Sequence, residues 1–230
     1  MLVTAIILTL KLAFITTVIL MLSGTPMAWA LSKMKHGLPG KLQPLLEALV
    51  AVPLVLPPTV LGFYFLLAFS PENPFGQLWF DMTGSTLAFS FTGLVIASVI
   101  YSLPFVVQPL QRAFEQIDPG LLEASAMLGA SPIDRFFTVV FPLCRRTFLL
   151  AACMGFAHTV GEFGVVLMIG GNIPGETQVL SIALFDAVET QQFAKAHGIA
   201  GGLLTFSLVL LVTLYSIERK EGYERSVHRT

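Results

Sequence analysis

His158 and Glu162 stand four residues apart inside an apolar run, so a helix there sets an imidazole and a carboxyl one turn apart. Such a pair can pass a proton between a general base and a general acid, or hold each other in place as a structural element. An enzyme built on them would also need a nucleophile or a metal constellation, and the neighbouring residues supply neither. The second group with chemistry is a set of hydroxyls: Thr86, Ser90, Thr92, Ser98, Tyr101 and Ser102. On a helix, Thr86 with Ser90 and Ser98 with Ser102 share one face per pair, with Gly93 and Ala97 near it. Two readings are open: hydroxyls lining a polar path, or small residues that let helices pack closely. Cys144 and Cys153 form neither a disulfide framework nor a metal signature and read as plain thiols.

The elements that must position these residues are set by composition. The chain has 230 residues, 55% hydrophobic and 12% charged, with a mean hydropathy of +0.80. A soluble domain carries about 25% charged residues, so the reading is an integral membrane protein. A net charge of −1 offers no field to attract nucleic acid. A span needs about 20 mostly apolar residues. Five stretches qualify, over 8–31, 45–69, 86–107, 147–169 and 199–217. The expected fold is all-α, a polytopic helical bundle of about five transmembrane helices forming one transmembrane domain over 1–230. The first span is started at Leu8 rather than Leu2, which leaves Lys11 at the rim, where its stem can snorkel. Residues 1–7 are then expected at the interface. Ala28-Trp29-Ala30 resembles a signal-peptidase site, but no basic n-region precedes the apolar core, so the stretch is read as part of a span.

Lys and Arg concentrate in loops on the cytoplasmic side of membrane proteins. The segments 32–44, 108–146 and 218–230 hold 11 of the 13 basic residues: Lys33, Lys35, Lys41, Arg112, Arg135, Arg145, Arg146, Arg219, Lys220, Arg225 and Arg229. The opposite set keeps only Lys195, with Lys11 at its rim. The expected topology has the N-terminus outside and the C-terminus cytoplasmic.

The charged stretch "EASAMLGASPIDRFFTVVFPLCR" (123–145) is then cytoplasmic. Asp118-Pro119 is a helix start, Gly129 a helix stop, and Ser131-Pro132 a second start with Asp134 favouring the dipole. Two short helices bent at Gly129 are expected, either as an ordinary amphipathic loop or as a docking element. Glu123-Ala124-Ser125, then Gly129, then Val139-Val140-Phe141-Pro142 resembles the EAA loop of ABC importer permeases, with every spacing kept. Ser125, Val139 and Phe141 depart from that pattern conservatively. The resemblance implies that residues 121–131 are a coupling helix docked on a cytoplasmic ATPase. It assigns coupling to Glu123, Ala124, Ser125, Gly129 and Pro142.

Two further strings narrow the resemblance. "VPLVLPPTVLGFYFLL" (52–67) places Pro53, Pro57 and Pro58 inside a span, either as a packing kink or as a break beside a wet path. With "GEFG" (161–164) and "NIPGET" (172–177), it is similar to molybdate/tungstate importer permeases, a group close to sulfate permeases. The resemblance implies a non-catalytic permease of a bacterial inner membrane that carries a tetrahedral oxyanion, molybdate or tungstate, with sulfate as the alternative. It also implies a homodimer, two ATPase subunits that use the ATP, an extracytoplasmic anion-binding protein, and no cofactor or metal on this chain. A dehydrated oxyanion needs hydrogen-bond donors. The pathway or gate candidates are therefore Pro57, Pro58, Ser90, Ser98, Ser102, Gly161, Glu162 and Gly164. A bare Glu162 would repel a dianion, so it is expected to pair with His158 or cap backbone groups where Gly161 and Gly164 loosen the helix. Residues 170–198 form the largest outer loop, with an interfacial helix expected over 179–196.

Overall fold

The computed structural model describes residues 2–34 and 42–227. Lys35, Lys41 and Arg229, used above in the charge argument, lie outside them. Every regular element among the described residues is helical. In chain order they are α1 (Leu2–Met34), α2 (Leu42–Val55), α3 (Pro58–Phe69), α4 (Pro74–Thr83), α5 (Phe91–Glu115), α6 (Pro119–Met127) and α7 (Pro132–Arg135). A π-helical turn, Phe136–Val140, leads into α8 (Phe141–Gly161), followed by α9 (Gly164–Gly170), α10 (Leu180–Glu189) and α11 (Phe193–Val227). Four stretches are long and apolar enough to cross a membrane: Leu2–Met34, Phe91–Glu115, Pro132–Gly161 and Phe193–Leu214. The bent pair α2 and α3 makes a fifth if it crosses as one.

The expected boundaries change in several places, the last span among them, which starts at Phe193 rather than residue 199. The first helix starts at Leu2, not Leu8, because Ala5 is buried against Ala183 and Ile199, while Lys11 sets its Nζ 4.8 Å above the Phe91 ring. The span expected over 45–69 is a break of 108°, not a kink. Pro26, Pro53, Pro104 and Pro109 all sit singly inside helices that run on through them. Pro57-Pro58 differs because each proline pushes the residue before it out of the α region. Pro57 is accordingly extended, with φ −54° and ψ 135°, and α3 begins anew at Pro58.

The third span starts at Phe91 rather than residue 86. Thr86 and Ser90 are therefore in a loop and share no helix face. Ser90 caps α5, donating to the Leu87 carbonyl and accepting from the Gly93 N–H. A Cβ at Gly93 would meet that carbonyl at 2.0 Å, so the turn requires glycine. The span expected over 147–169 breaks at Glu162-Phe163 between α8 and α9. The outer helix expected over 179–196 ends at Glu189. There Gln191 takes φ +57°, and the Gln191 and Gln192 N–H groups return to the carbonyls of Val188 and Ala187. That is a Schellman stop made with glutamine where glycine is usual.

Two large buried clusters, besides the small one at Ala5, hold the bundle. Around Leu94, Ala97, Val165, Val166 and Ile169, α5 meets α9. Around Leu20, Ala28, Val106, Val107, Leu110 and Ala151, α1, α5 and α8 meet. Close approach depends on small residues, as in membrane helices generally. A Cβ on Gly24 or Gly155 would lie 3.2 or 3.1 Å from Val106. The two helix fragments α3 and α9 also pack through glycines. A Cβ on Gly62 would meet the Met168 Cβ at 2.8 Å, and one on Gly164 would meet the Pro58 Cβ at 2.8 Å.

The "NIPGET" turn between α9 and α10 is closed from within. Thr177, fully buried, donates its hydroxyl to the Gly170 carbonyl at 2.6 Å and accepts from the Ile173 N–H at 3.0 Å. Gln178 donates to the Asn172 side-chain oxygen at 2.7 Å. The string that looked diagnostic thus does structural work in its loop.

Three stability outcomes are expected. Gly62→Leu drives a side chain into Met168 and the Val165 backbone, a loss of roughly 1–3 kcal/mol measurable as a lower melting temperature in detergent. Gly201→Ala, inside α11 with open space at its Cβ, does not lower that temperature. Thr177→Val keeps the shape but strands a buried carbonyl and N–H, a loss of roughly 1–3 kcal/mol by the same measurement.

Candidate functional site

The two helix breaks meet. Pro58 and Thr59 at the start of α3 face Gly161, Glu162 and Gly164 across a cavity of about 520 Å³. Four of the eight pathway candidates, Pro58, Gly161, Glu162 and Gly164, therefore line one cavity, with Pro57 next to Pro58 in the chain, although a hundred residues separate the two breaks in sequence. Broken helices at membrane depth are tolerated only where protein or a wet cavity satisfies the freed backbone. Here the freed Glu162 carbonyl accepts the Ser181 hydroxyl of α10 at 2.6 Å.

The other three candidates have different places. Ser90 is occupied in the α5 cap. Ser102, fully buried, meets His158 Nδ1 at 2.8 Å and the Thr159 hydroxyl at 3.2 Å. Ser98, also fully buried, sets its hydroxyl beside the Glu162 carboxyl and is not among the residues that line the cavity.

His158 does not pair with Glu162, which corrects the expectation above. Its ring is stacked on Phe105 with centroids 4.0 Å apart, lies 4.8 Å from Tyr101, and is anchored by Ser102. The Glu162 carboxyl caps no backbone group either: both oxygens are buried and without a partner. The imidazole goes to α5 because Ser102 and two aromatic rings meet it there, contacts that the four-residue spacing to Glu162 cannot reveal.

The second candidate element is the loop between α5 and α8. Asp118 caps α6, its side chain accepting from the Gly120 N–H. The helix ends in a Schellman motif: Gly129 at φ +83° donates to the Ala126 carbonyl, and the Ala130 N–H reaches the Ser125 carbonyl. Ser131 and Asp134 form a reciprocal capping box that opens α7. The Ser131 hydroxyl and N–H both donate to the Asp134 carboxyl. Two short helices with a bend at Gly129 are thus present where local signals place them.

Glu123 and Ala124 are exposed on α6, and Ser125 donates to the Leu122 carbonyl. Glu123 lines a cavity of about 320 Å³ with Trp29, Lys33 and Arg135. At the bend the loop turns apolar side chains outward: Met127 is 89% exposed, Leu128 88% and Ile133 70%. Pro142 sits in the first turn of α8, just after the π turn. Proline lacks an N–H and crowds the carbonyl four residues back. The wider turn accommodates it, with the Phe141 N–H bonding to the Phe136 carbonyl.

Sequence reasoning missed what joins this loop to the bundle. Phe136 inserts among Trp29 of α1, Phe114 of α5 and Phe148 of α8, with ring centroids 6.2, 6.5 and 6.3 Å away. Trp29 also meets Phe114 at 5.3 Å, and Lys33 Nζ lies 4.5 Å over the Trp29 ring. Each aromatic pair adds about 0.5–1.5 kcal/mol beyond its buried area. The only signal was an aromatic next to the loop's second helix, and its partners come from three distant segments.

Known proteins resemble this chain along nearly its whole length. The family described as binding-protein-dependent transport system inner membrane component matches residues 13–217. The molybdenum transport system permease protein ModB of Azotobacter vinelandii is 56% identical over 215 residues, covering 94% of this chain and 93% of that protein. ModB of Escherichia coli K12 is 33% identical, covering 81% and 80%. The sulfate transport system permease protein CysT of Salmonella typhimurium is 32% identical, covering 93% and 76%. Among solved structures, an inward-facing MetNI methionine ABC transporter superposes with a TM-score of 0.71 at 18% identity, covering 95% of both chains. A bacterial ABC transporter that imports alginate gives 0.72 at 16% identity, covering 95% of this chain and 79% of that one. These two share the fold. Bundle, loop and full-length relatives lead to one assignment: the chain belongs to the binding-protein-dependent transport system inner membrane components, the permease subunits of ABC transporters.

Proposed function

We propose that the chain is the permease subunit of an ATP-driven importer that moves molybdate, or its close analogue tungstate, across the bacterial inner membrane. The observation that carries the reading is the 56% identity to the Azotobacter vinelandii molybdenum permease over nearly the full length of both chains. Sulfate is the second reading, supported by the 32% identity to the Salmonella typhimurium sulfate permease. The higher identity favours molybdate.

In this reading two copies of the chain surround the path, two ATPase subunits sit on the cytoplasmic face, and a separate extracytoplasmic protein delivers the anion. The loop over 108–146 and the C-terminus are cytoplasmic, as the charge bias supports. The exposed Met127, Leu128 and Ile133 form the apolar tip that enters the ATPase. Caps at both ends of α6 and the box at Ser131 make that tip rigid, and Phe136 ties it to three membrane helices at once. A displacement of the ATPase is then transmitted to the bundle instead of being absorbed by a slack loop. Glu123 supplies polarity at the interface, Ala124 allows close approach, and Gly129 forms the hinge. The outer loop over 170–198 is the docking surface for the loaded binding protein.

Membrane vesicles that contain the permease, its ATPase and its binding protein test the substrate. Labelled molybdate is expected to accumulate with ATP, and sulfate in excess to compete weakly. Accumulation of sulfate without molybdate would replace the first reading with the second. The coupling role has its own test. Glu123→Lys and Gly129→Asp are expected to insert at normal abundance yet lose the ATPase on co-purification, whereas Phe136→Ala keeps the ATPase bound and loses transport. Transport that persists in all three variants would remove the role assigned to this loop.

A further inference from the structure

The polar atoms around the cavity between the two helix breaks differ in what can reach them. Both carboxyl oxygens of Glu162 and the Ser98 hydroxyl are covered by protein. Tyr101 of α5 and His158 of α8 are only partly buried, and both line the cavity. The Tyr101 hydroxyl and the His158 Nε2 bond to no described residue, yet neither is among the covered polar atoms that lack a partner. Both atoms are therefore open to what enters. Pro58 and Thr59 of α3 complete the wall, and no Lys or Arg lines it.

One turn of α5 holds the imidazole in place. Phe105 stacks on the ring with centroids 4.0 Å apart, Tyr101 meets it at 4.8 Å, and the Ser102 hydroxyl lies 2.8 Å from Nδ1. A count of protons then decides the tautomer. Thr159 spends its hydroxyl proton on the Gly155 carbonyl at 3.0 Å. Ser102 has one proton to give, either to the Thr159 oxygen at 3.2 Å or to Nδ1 at 2.8 Å, and the shorter contact takes it. A neutral ring that accepts at Nδ1 carries its own proton on Nε2, the nitrogen left open. An O–H and an N–H, both unspent and both uncharged, thus stand beside each other on one accessible wall. Such donors replace part of the water shell of an oxyanion without the strong hold of a fixed cation, so the anion can leave again.

Resting on the permease reading above, we propose that the Tyr101 hydroxyl and the His158 Nε2–H are the side-chain donors that meet the passing oxyanion between the two helix breaks. Ser102 and Phe105 act through His158 as positioning residues: one sets which nitrogen carries the proton, the other sets the plane of the ring.

The test uses the complete transporter in vesicles, with labelled molybdate as the probe and co-purification of the ATPase as the check on assembly. Tyr101→Phe removes one O–H and keeps the ring, and the rate of uptake is expected to fall about tenfold, the loss of one hydrogen bond to an anion. His158→Phe keeps a ring against Phe105 without a donor, and a fall of about tenfold is expected there too. Assembled Phe variants that both transport at the unsubstituted rate would overturn the role. A spectroscopic measurement on the unsubstituted chain decides the matter even if a variant fails to assemble. The chain has four histidines, and nitrogen-15 NMR of labelled histidine in the lipid-embedded transporter is expected to show one neutral, Nε2-protonated ring whose Nε2 signal shifts when molybdate is delivered by the binding protein. That signal is assigned by its loss in His158→Gln. A His158 ring with Nε2 bare, or an Nε2 signal that molybdate leaves unmoved, would overturn the role. No molybdate uptake by the unsubstituted system would remove the oxyanion reading and this role with it, whereas uptake by that system and by both Phe variants alike would remove this role only.

Discussion

In a bilayer every backbone N–H and C=O must find a partner within the protein or in a wet cavity, so an interrupted helix is allowed only where something repairs it. This chain interrupts two of its membrane segments, at Pro57-Pro58 and at Glu162-Phe163, and brings the interruptions against each other. The repairs are specific. Pro58 has no N–H to satisfy, the Val60 N–H returns to the Pro57 carbonyl, and Ser181 takes up the Glu162 carbonyl. Gly62 and Gly164 then let the two helix fragments, α3 and α9, approach closely enough to close the remaining space. The candidate gate is a consequence of where the chain can afford to stop being helical.

The same constraint separates the cavity from the loop that carries Phe136. Around Val106 the helices α1, α5 and α8 pack tightly through Gly24 and Gly155, and that contact lies between the aromatic knot at Trp29, Phe114, Phe136 and Phe148 and the cavity at Glu162. Packed cores shift between discrete arrangements more readily than they deform continuously. A push on Phe136 therefore moves α1, α5 and α8 as units. The break at Glu162 is where α8 stops and a different helix begins, so movement of α8 changes the cavity wall directly.

What could be read from the sequence follows the range of the interactions. Asp118, Gly129 and Ser131 act on residues within a few positions of themselves, and the two short helices appear where those residues put them. The long apolar runs of α1, α5 and α11 were likewise legible from hydropathy. Pro57-Pro58 was legible as a disturbance but not as a 108° break, because the outcome depends on two consecutive prolines excluding the α region together. The stop at Gln191 was hidden because a glutamine occupies the left-handed position that glycine usually marks. The partners of His158 were hidden because they sit on α5, more than fifty residues away. The isolation of the Glu162 carboxyl was hidden for the same reason: spacing shows which groups can meet, and only the fold shows that none does.

The account stands on the cavity between the two breaks being part of a water-filled route. The most direct measurement places a cysteine at Thr59 in a chain carrying Cys144→Ser and Cys153→Ser, and follows its reaction with a charged, membrane-impermeant thiol reagent in the assembled transporter. The account predicts fast labelling that molybdate slows. A cysteine at Thr59 as inert as one at Val209, on the exposed apolar face of α11, would contradict it.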